Sequence, residues 1–172
     1  MLLMSFKSWS YLPTRKWWMR PFSFINKTQE TDIREQYTLY GVRGFDLFVR
    51  FNKNKQLVLC NGKIEYNYEL DNLFNDLSWI DSRTGCYVRI TLEDDKNKEQ
   101  FKEFCSLLEK TFTHIKFFGG LSYDGETFYF DNFPKYVESN FIRKSSAKVH
   151  NSFVKTAYKD KDIVILSFVN YE

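Results

Sequence analysis

Glycine and proline are scarce in this 172-residue chain, at seven and three residues, so collagen-like and low-complexity architectures are excluded. Histidine is scarcer still, with only His114 and His150, which leaves few groups able to exchange protons near neutrality. The three cysteines, Cys60, Cys86 and Cys105, form no C-x-x-C pair, so zinc and thioredoxin-like sites lose their support. They read as buried free thiols of a reducing compartment, and a cytoplasmic location is expected. No apolar run approaches the roughly 18 residues of a membrane span. No charged leader precedes the short apolar start, so no secretory signal is expected. The sequence also lacks G-x-G-x-x-G, P-loop, H-E-x-x-H and G-x-S-x-G motifs, against nucleotide binding, zinc proteolysis and serine hydrolysis.

Aromatic residues, by contrast, are plentiful at 19%, and hydrophobic residues reach 43% against 27% charged, the balance of a chain that buries a core. One domain over 1–172 is expected, with 1–27 as a basic aromatic N-terminal segment. The net charge of +3 is unevenly spread. Residues 1–27 carry Lys7, Arg15, Lys16, Arg20 and Lys27 and no acid, residues 135–161 are also basic, and the centre is acidic. Such ends suit either an anionic partner or a solvated face. Trp9, Trp17 and Trp18 among the N-terminal cations suit a membrane interface. They equally suit a capping segment packed on the fold's underside, and no clean amphipathic period runs through Pro13 and Pro21. No nucleic-acid motif accompanies them, so no nucleic-acid partner is expected.

Hydrophobic spacing predicts a helix opening near Thr28 with Ile33, Tyr37 and Tyr40 on one face and Gly41 as its stop. Strands follow over 42–51 and 56–60, then a helix over 69–80 through Leu73, Leu77 and Ile80. Residues 86–92 alternate as a strand. Asp94 and Asp95 are candidate caps for a helix through Phe101, Phe104, Leu108 and Phe112. Ile115–Phe118 reads as a strand stopped by Gly119-Gly120, and Thr127–Phe130 as another. Ser145 or Ser146 would cap a helix with Val149, Phe153 and Ala157 inward and Lys148, Lys155 and Lys159 outward. The apolar stretch Ile163–Val169 suits a strand covered on both faces. Alternating strands and helices define an α/β protein with a mostly parallel sheet. His114 and His150 stand at no telling distance from a carboxylate or cysteine and read first as structural.

The informative stretch is Gly41-Val42-Arg43, then Phe45-Asp46-Leu47-Phe48-Val49-Arg50, then Leu57 to Cys60 running into Asn61-Gly62. Gln29 and Gln36 precede it, the strand Val88-Arg89-Ile90-Thr91-Leu92-Glu93 follows, and Ile163–Val169 closes the chain. This ordered set resembles the phosphatidylinositol-specific phospholipase C-like phosphodiesterases, most clearly over 28–93 and again at 162–170. The resemblance implies a TIM-type (β/α) barrel with its site at the C-terminal strand ends. At 172 residues, against about 250 for a full barrel, the barrel is expected to be reduced or incomplete. In the family one His deprotonates a substrate hydroxyl that attacks phosphorus, a second protonates the leaving group, and Arg or calcium neutralises the phosphoryl oxygens.

This chain departs from that pattern at the chemistry. Asn61 stands where the family has the His of a His-Gly pair, Phe48 stands where it has Arg, and residues 1–40 hold no His. An amide donates a hydrogen bond but exchanges no proton at neutral pH. Asp46 keeps its place, and Arg50 shares its side of the strand. The expected site is therefore Asp46, Arg50 and Asn61, with Arg50, Arg89 and Asn61 as phosphate contacts and Glu65 and Glu93 as an acidic rim. Asn61-Gly62 is also a hairpin signal, with arms 58–60 and 64–66. No cofactor is expected. Glu65, Glu93, Asp94 and Asp95 are hard-oxygen ligands of the kind calcium takes, but capping and solvated charge account for them first. The leading expectation is a catalytically degenerate phosphodiesterase homologue with a phosphate- or inositol-binding mouth. The alternatives are residual turnover of phosphatidylinositol or glycerophosphodiesters, and a structural or assembly protein reusing the fold.

Overall fold

The computed structural model describes residues 1–21, 27–93, 96–121, 130, 134–139, 151–154, 156–157 and 160–169. Its frame is a run of parallel strands: β1 (Leu2–Ser5), β2 (Gly44–Phe51), β5 (Tyr87–Leu92), β6 (Lys116–Leu121), β7 (Tyr136–Ser139) and β8 (Ile163–Leu166). They pair in the order β6-β5-β2-β1-β8-β7. Two antiparallel strands, β3 (Leu57–Asn61) and β4 (Ile64–Glu65), are added as hairpins. β5 occupies one edge of β2 over Gly44–Val49, so β1 and β3 share the other, β1 at Gly44–Phe45 and β3 at Val49–Phe51. Helices α1 (Ile33–Tyr40), α2 (Leu70–Asp81) and α3 (Lys98–Thr111) link the parallel strands. The sheet curls into a half-barrel of the TIM type.

Side chains alternate across a strand, and here the alternation separates two cores. Phe45, Leu47 and Val49 of β2 and Val88, Ile90 and Leu92 of β5 face outward. There they meet Leu73, Leu77 and Ile80 of α2 and Phe101, Cys105 and Leu108 of α3. The barrel interior holds a smaller cluster, Met4, Phe6, Phe118, Ile163 and Ile165. All four residues of β8 are buried because it meets both cores, which explains its unbroken apolar run. β6 and β7 approach across the interior, where the Phe118 and Tyr136 rings lie 5.9 Å apart. The three cysteines are free and buried. Among the described residues no helix is long and apolar enough to cross a membrane.

Several sequence expectations require correction. The first helix opens at Ile33, not near Thr28, because Asp32 and Glu35 form a reciprocal capping box. Gly41 does end it, in the left-handed conformation. Residues 2–5 form a barrel strand that four residues of pattern did not reveal. Gly119-Gly120 does not stop β6. Gly119, at φ +119°, lies inside the strand, where a Cβ would come within 2.2 Å of the Ile90 carbonyl oxygen. It permits close approach of β5 and β6. The final strand ends at Leu166, and Phe168, still buried, adopts φ 52° with its N–H on the Thr28 carbonyl. In the helical residues 151–154 and 156–157, Asn151 and Val154 are buried, while Phe153 is 62% exposed and Ala157 is exposed, not inward. Trp9 is buried in the outer core and donates from Nε1 to Asp76, whereas Trp17 and Trp18 are exposed. Asp94, Asp95, His150, residues 127–129, Ser145, Ser146, Lys148, Val149, Lys155 and Lys159 lie outside the described residues.

Candidate functional site

The register of β2 against β5 sets Asp46 beside Arg89, both on the interior face. The two form a forked pair, Arg89 Nε donating to Asp46 Oδ1 at 2.6 Å and Nη2 to Oδ2 at 2.9 Å. The remaining terminal nitrogen, Nη1, reaches across the interior to Glu138 Oε2 of β7 at 2.6 Å. Asp46 is 1% and Arg89 6% exposed, so a buried pair, with the half-buried Glu138, ties three strands together. Burial pushes the Asp46 carboxyl upward, and Arg89 opposes that shift. Burial works against the Arg89 charge too, but Asp46 and Glu138 more than offset it and hold the guanidinium protonated.

The turn after β1 completes the arrangement. Lys7 adopts φ 47°, aiming its N–H at Asp46 Oδ2, 3.0 Å away. Ser8 Oγ accepts the Asp46 N–H at 2.7 Å and donates to the Ser5 carbonyl at 2.9 Å. The Lys7 ammonium donates to Asn61 Oδ1 and lies 4.7 Å from the centre of the Phe48 ring. Gln29, buried, donates to the Phe6 and Leu166 carbonyls and so ties β1 to β8. Gln36 donates to the Ser8 carbonyl at 2.9 Å and supports the same turn. Both glutamines serve the frame beneath the site.

Asn61 ends β3 opposite Ile64, and Gly62-Lys63 form the turn, so this segment is a hairpin. Asn61 nonetheless lies against Lys7. Glu93, just past β5, accepts from the Gly62 N–H and from Cys60 Sγ, the latter at 3.3 Å. Burial, reinforced by Glu93, pushes the Cys60 thiol up, which keeps it protonated and a poor nucleophile. Arg50 turns away to the β3–β4 turn, where it donates to the Gly62 and Lys63 carbonyls and to Glu65 Oε1 at 2.7 Å. The fold thus brings Asp46 and Arg89 together, sets Asn61 beside them through Lys7, and leaves Arg50 and Glu65 on the hairpin flank. Asp46 is the third of eight residues of β2, in its N-terminal half and not the C-terminal half expected from sequence. The reason is the hairpin, which prolongs β2 beyond the end of β1.

The space left between Lys7, Asp46, Phe48 and Cys60 is about 10 Å3, room for one water at most. His114 is exposed and pairs with Asp81 of α2 at 3.3 Å, away from these residues in the fold. Among the described residues no three His, Cys, Asp or Glu side chains gather as a metal cluster. Glu65 and Glu93, the acids considered for calcium, already accept from Arg50 and from Gly62. Sequence reading missed Lys7, Ser8 and Glu138. The only signal for the first two was a Lys-Ser pair behind a four-residue apolar start, and Glu138 lies in a strand of mixed composition.

No protein-family model matches the chain, and no curated protein matches it. Solved structures do. A phosphatidylinositol-specific phospholipase C from Listeria monocytogenes aligns with TM-score 0.61 at 12% identity, over 96% of this chain and 71% of that one. A variant of the Staphylococcus aureus enzyme of the same name aligns with TM-score 0.61 at 17% identity, over 98% of this chain and 70% of that one. A further structure, titled for modulation of membrane binding by the Staphylococcus aureus enzyme, aligns with TM-score 0.51 at 19% identity. That match covers 69% of this chain, which spans 46% of that structure. The chain therefore has a phospholipase C-like barrel fold.

Proposed function

We propose that this protein is a phosphodiesterase-type barrel that binds without hydrolysing, a degenerate homologue of the phospholipase C-like enzymes. The observation that carries this reading is the Lys7–Asn61 pair beside Asp46 and Arg89. Where phosphodiester transfer needs two groups that trade protons near pH 7, this chain has an ammonium and an amide bonded to each other. The charges that would neutralise a phosphoryl group are also engaged, Arg89 by Asp46 and Glu138 and Arg50 by Glu65. Each general acid or base supplies about 10²–10⁴-fold. The purified chain is accordingly expected to turn over phosphatidylinositol and glycerophosphodiesters slower than a working enzyme by several orders of magnitude. Robust turnover that Asp46→Ala abolishes would falsify this reading.

A second feature favours association with a membrane surface. Trp17 is 77% and Trp18 54% exposed, within a segment that also carries Arg15, Lys16 and Arg20. Indole rings with flanking cations suit the headgroup region of a bilayer. Co-sedimentation with anionic vesicles is expected to weaken when both tryptophans become alanine.

A further inference from the structure

An open cavity of about 790 Å3 lies on the hairpin flank, between the β2–β3 turn and the β3–β4 turn. Its volume falls in the range of small-molecule sites, roughly 300–1,000 Å3. Four cations line it, Lys16, Arg50, Lys53 and Lys63, against two carboxylates, Glu65 and Glu93. Both carboxylates already have donors, Arg50 for Glu65 and the Gly62 N–H with Cys60 for Glu93. Among the described residues, Lys53 and Lys63 are exposed and have no ion-pair partner, and the Lys16 ammonium has none either, lying 5.7 Å from the centre of the Trp18 ring. Arg50 Nε is buried without an acceptor. An excess of unpaired ammonium groups around one concavity attracts an anion and gains by holding it. Lysines act as compact point charges, which suits clustered phosphates better than a single planar carboxylate.

We propose that this cavity binds a ligand carrying two or more phosphate charges, separate from the filled space beside Asp46. The ligand comes either as a soluble polyphosphorylated small molecule or as a phosphorylated lipid headgroup. This deepens the binding reading above and rests on it. Arg50 shapes the wall while bound to Glu65, and Lys16, Lys53 and Lys63 supply the free charge. The proximity of Lys16 to Trp17 and Trp18 along the chain would let a headgroup enter the cavity while the indoles rest in the bilayer surface.

The test is titration of the full chain with tripolyphosphate, together with sedimentation on phosphatidylcholine vesicles with and without a bisphosphorylated lipid. Lys53→Glu combined with Lys63→Glu should weaken tripolyphosphate binding at least about tenfold, with the melting temperature unchanged because both side chains are exposed. If the natural source is a lipid, the same variant also loses binding to the phosphorylated vesicles. Trp17→Ala with Trp18→Ala then reduces vesicle binding and leaves tripolyphosphate binding intact. If the source is soluble, tripolyphosphate binds and the vesicles do not. Failure of the wild-type chain to bind either probe overturns the proposal, as does binding that the lysine reversals leave unchanged. Phosphodiesterase turnover, measured on the same preparations, decides the non-hydrolytic reading separately.

Discussion

Arg89 ties three strands together through its side chain in the barrel interior. It makes three hydrogen bonds to two carboxylates on different strands, and it is almost fully buried. Removing one partner of a buried ion pair leaves an uncompensated charge, at about 3–5 kcal/mol. Arg89→Met should therefore lower stability by about that amount in urea unfolding. Asp46→Leu added to Arg89→Met should recover much of the loss, because no buried charge then remains on β2 or β5, and Glu138 is partly exposed to water. An equal or larger loss in the double variant would mean that the triad stabilises by shape rather than by charge. Arg89→Lys is a poor substitute, since an ammonium cannot reproduce the fork on Asp46.

Among the elements, the β5–β6 pair is held by the absence of a side chain. Gly119→Ala would place a Cβ 2.2 Å from the Ile90 carbonyl oxygen, at a backbone angle that L-residues avoid. Strain and overpacking together predict a loss of about 2–5 kcal/mol, read from the unfolding midpoint. The start of α1 depends on the reciprocal bonds between Asp32 and Glu35. Asp32→Ala should remove about 1 kcal/mol, a loss confined to the cap.

For the whole molecule, buried acids that hold their protons set a limit at high pH. Burial raises Tyr11, Tyr66 and Tyr68, with Asp76 adding to the shift at Tyr11 and Tyr68. Burial raises Cys60 and Cys105 as well. A raised value in the folded state means that the unfolded chain releases these protons first. Their contribution is intact below the unfolded values, about 8.5 for thiols and about 10 for phenols, and falls as pH rises past them. Melting temperature should thus decline from about pH 9 upward, and tyrosinate absorbance in the native protein should lag behind that of the unfolded chain. A melting temperature flat to pH 11 would contradict the burial of these groups.

The strand and helix alternation was legible because β2, α2, β5 and α3 each repeat a period over six or more residues, and local spacing alone decides which face turns inward. The ordered set from Gly41-Val42-Arg43 through Phe45-Asp46-Leu47 and Asn61-Gly62 to Val88–Glu93, with Ile163–Val169 after it, indicated a reduced phospholipase C-like barrel. The scarcity of histidine was equally visible, being a matter of composition. Other features were settled only in three dimensions. β1 and β7 are four residues each, too short for a period, and become strands because they flank β8 in the sheet. Glu138 meets Arg89 across the barrel interior, a contact between strands 49 residues apart that no spacing rule encodes. Arg50 lies on the expected side of β2, yet the β3–β4 turn offers it two carbonyls and Glu65, so it bonds there. Sequence determined which charges the chain possesses, while the pairing of the barrel strands decided which of them are buried as ties, and the hairpin beside the barrel decided that Arg50 bonds to Glu65.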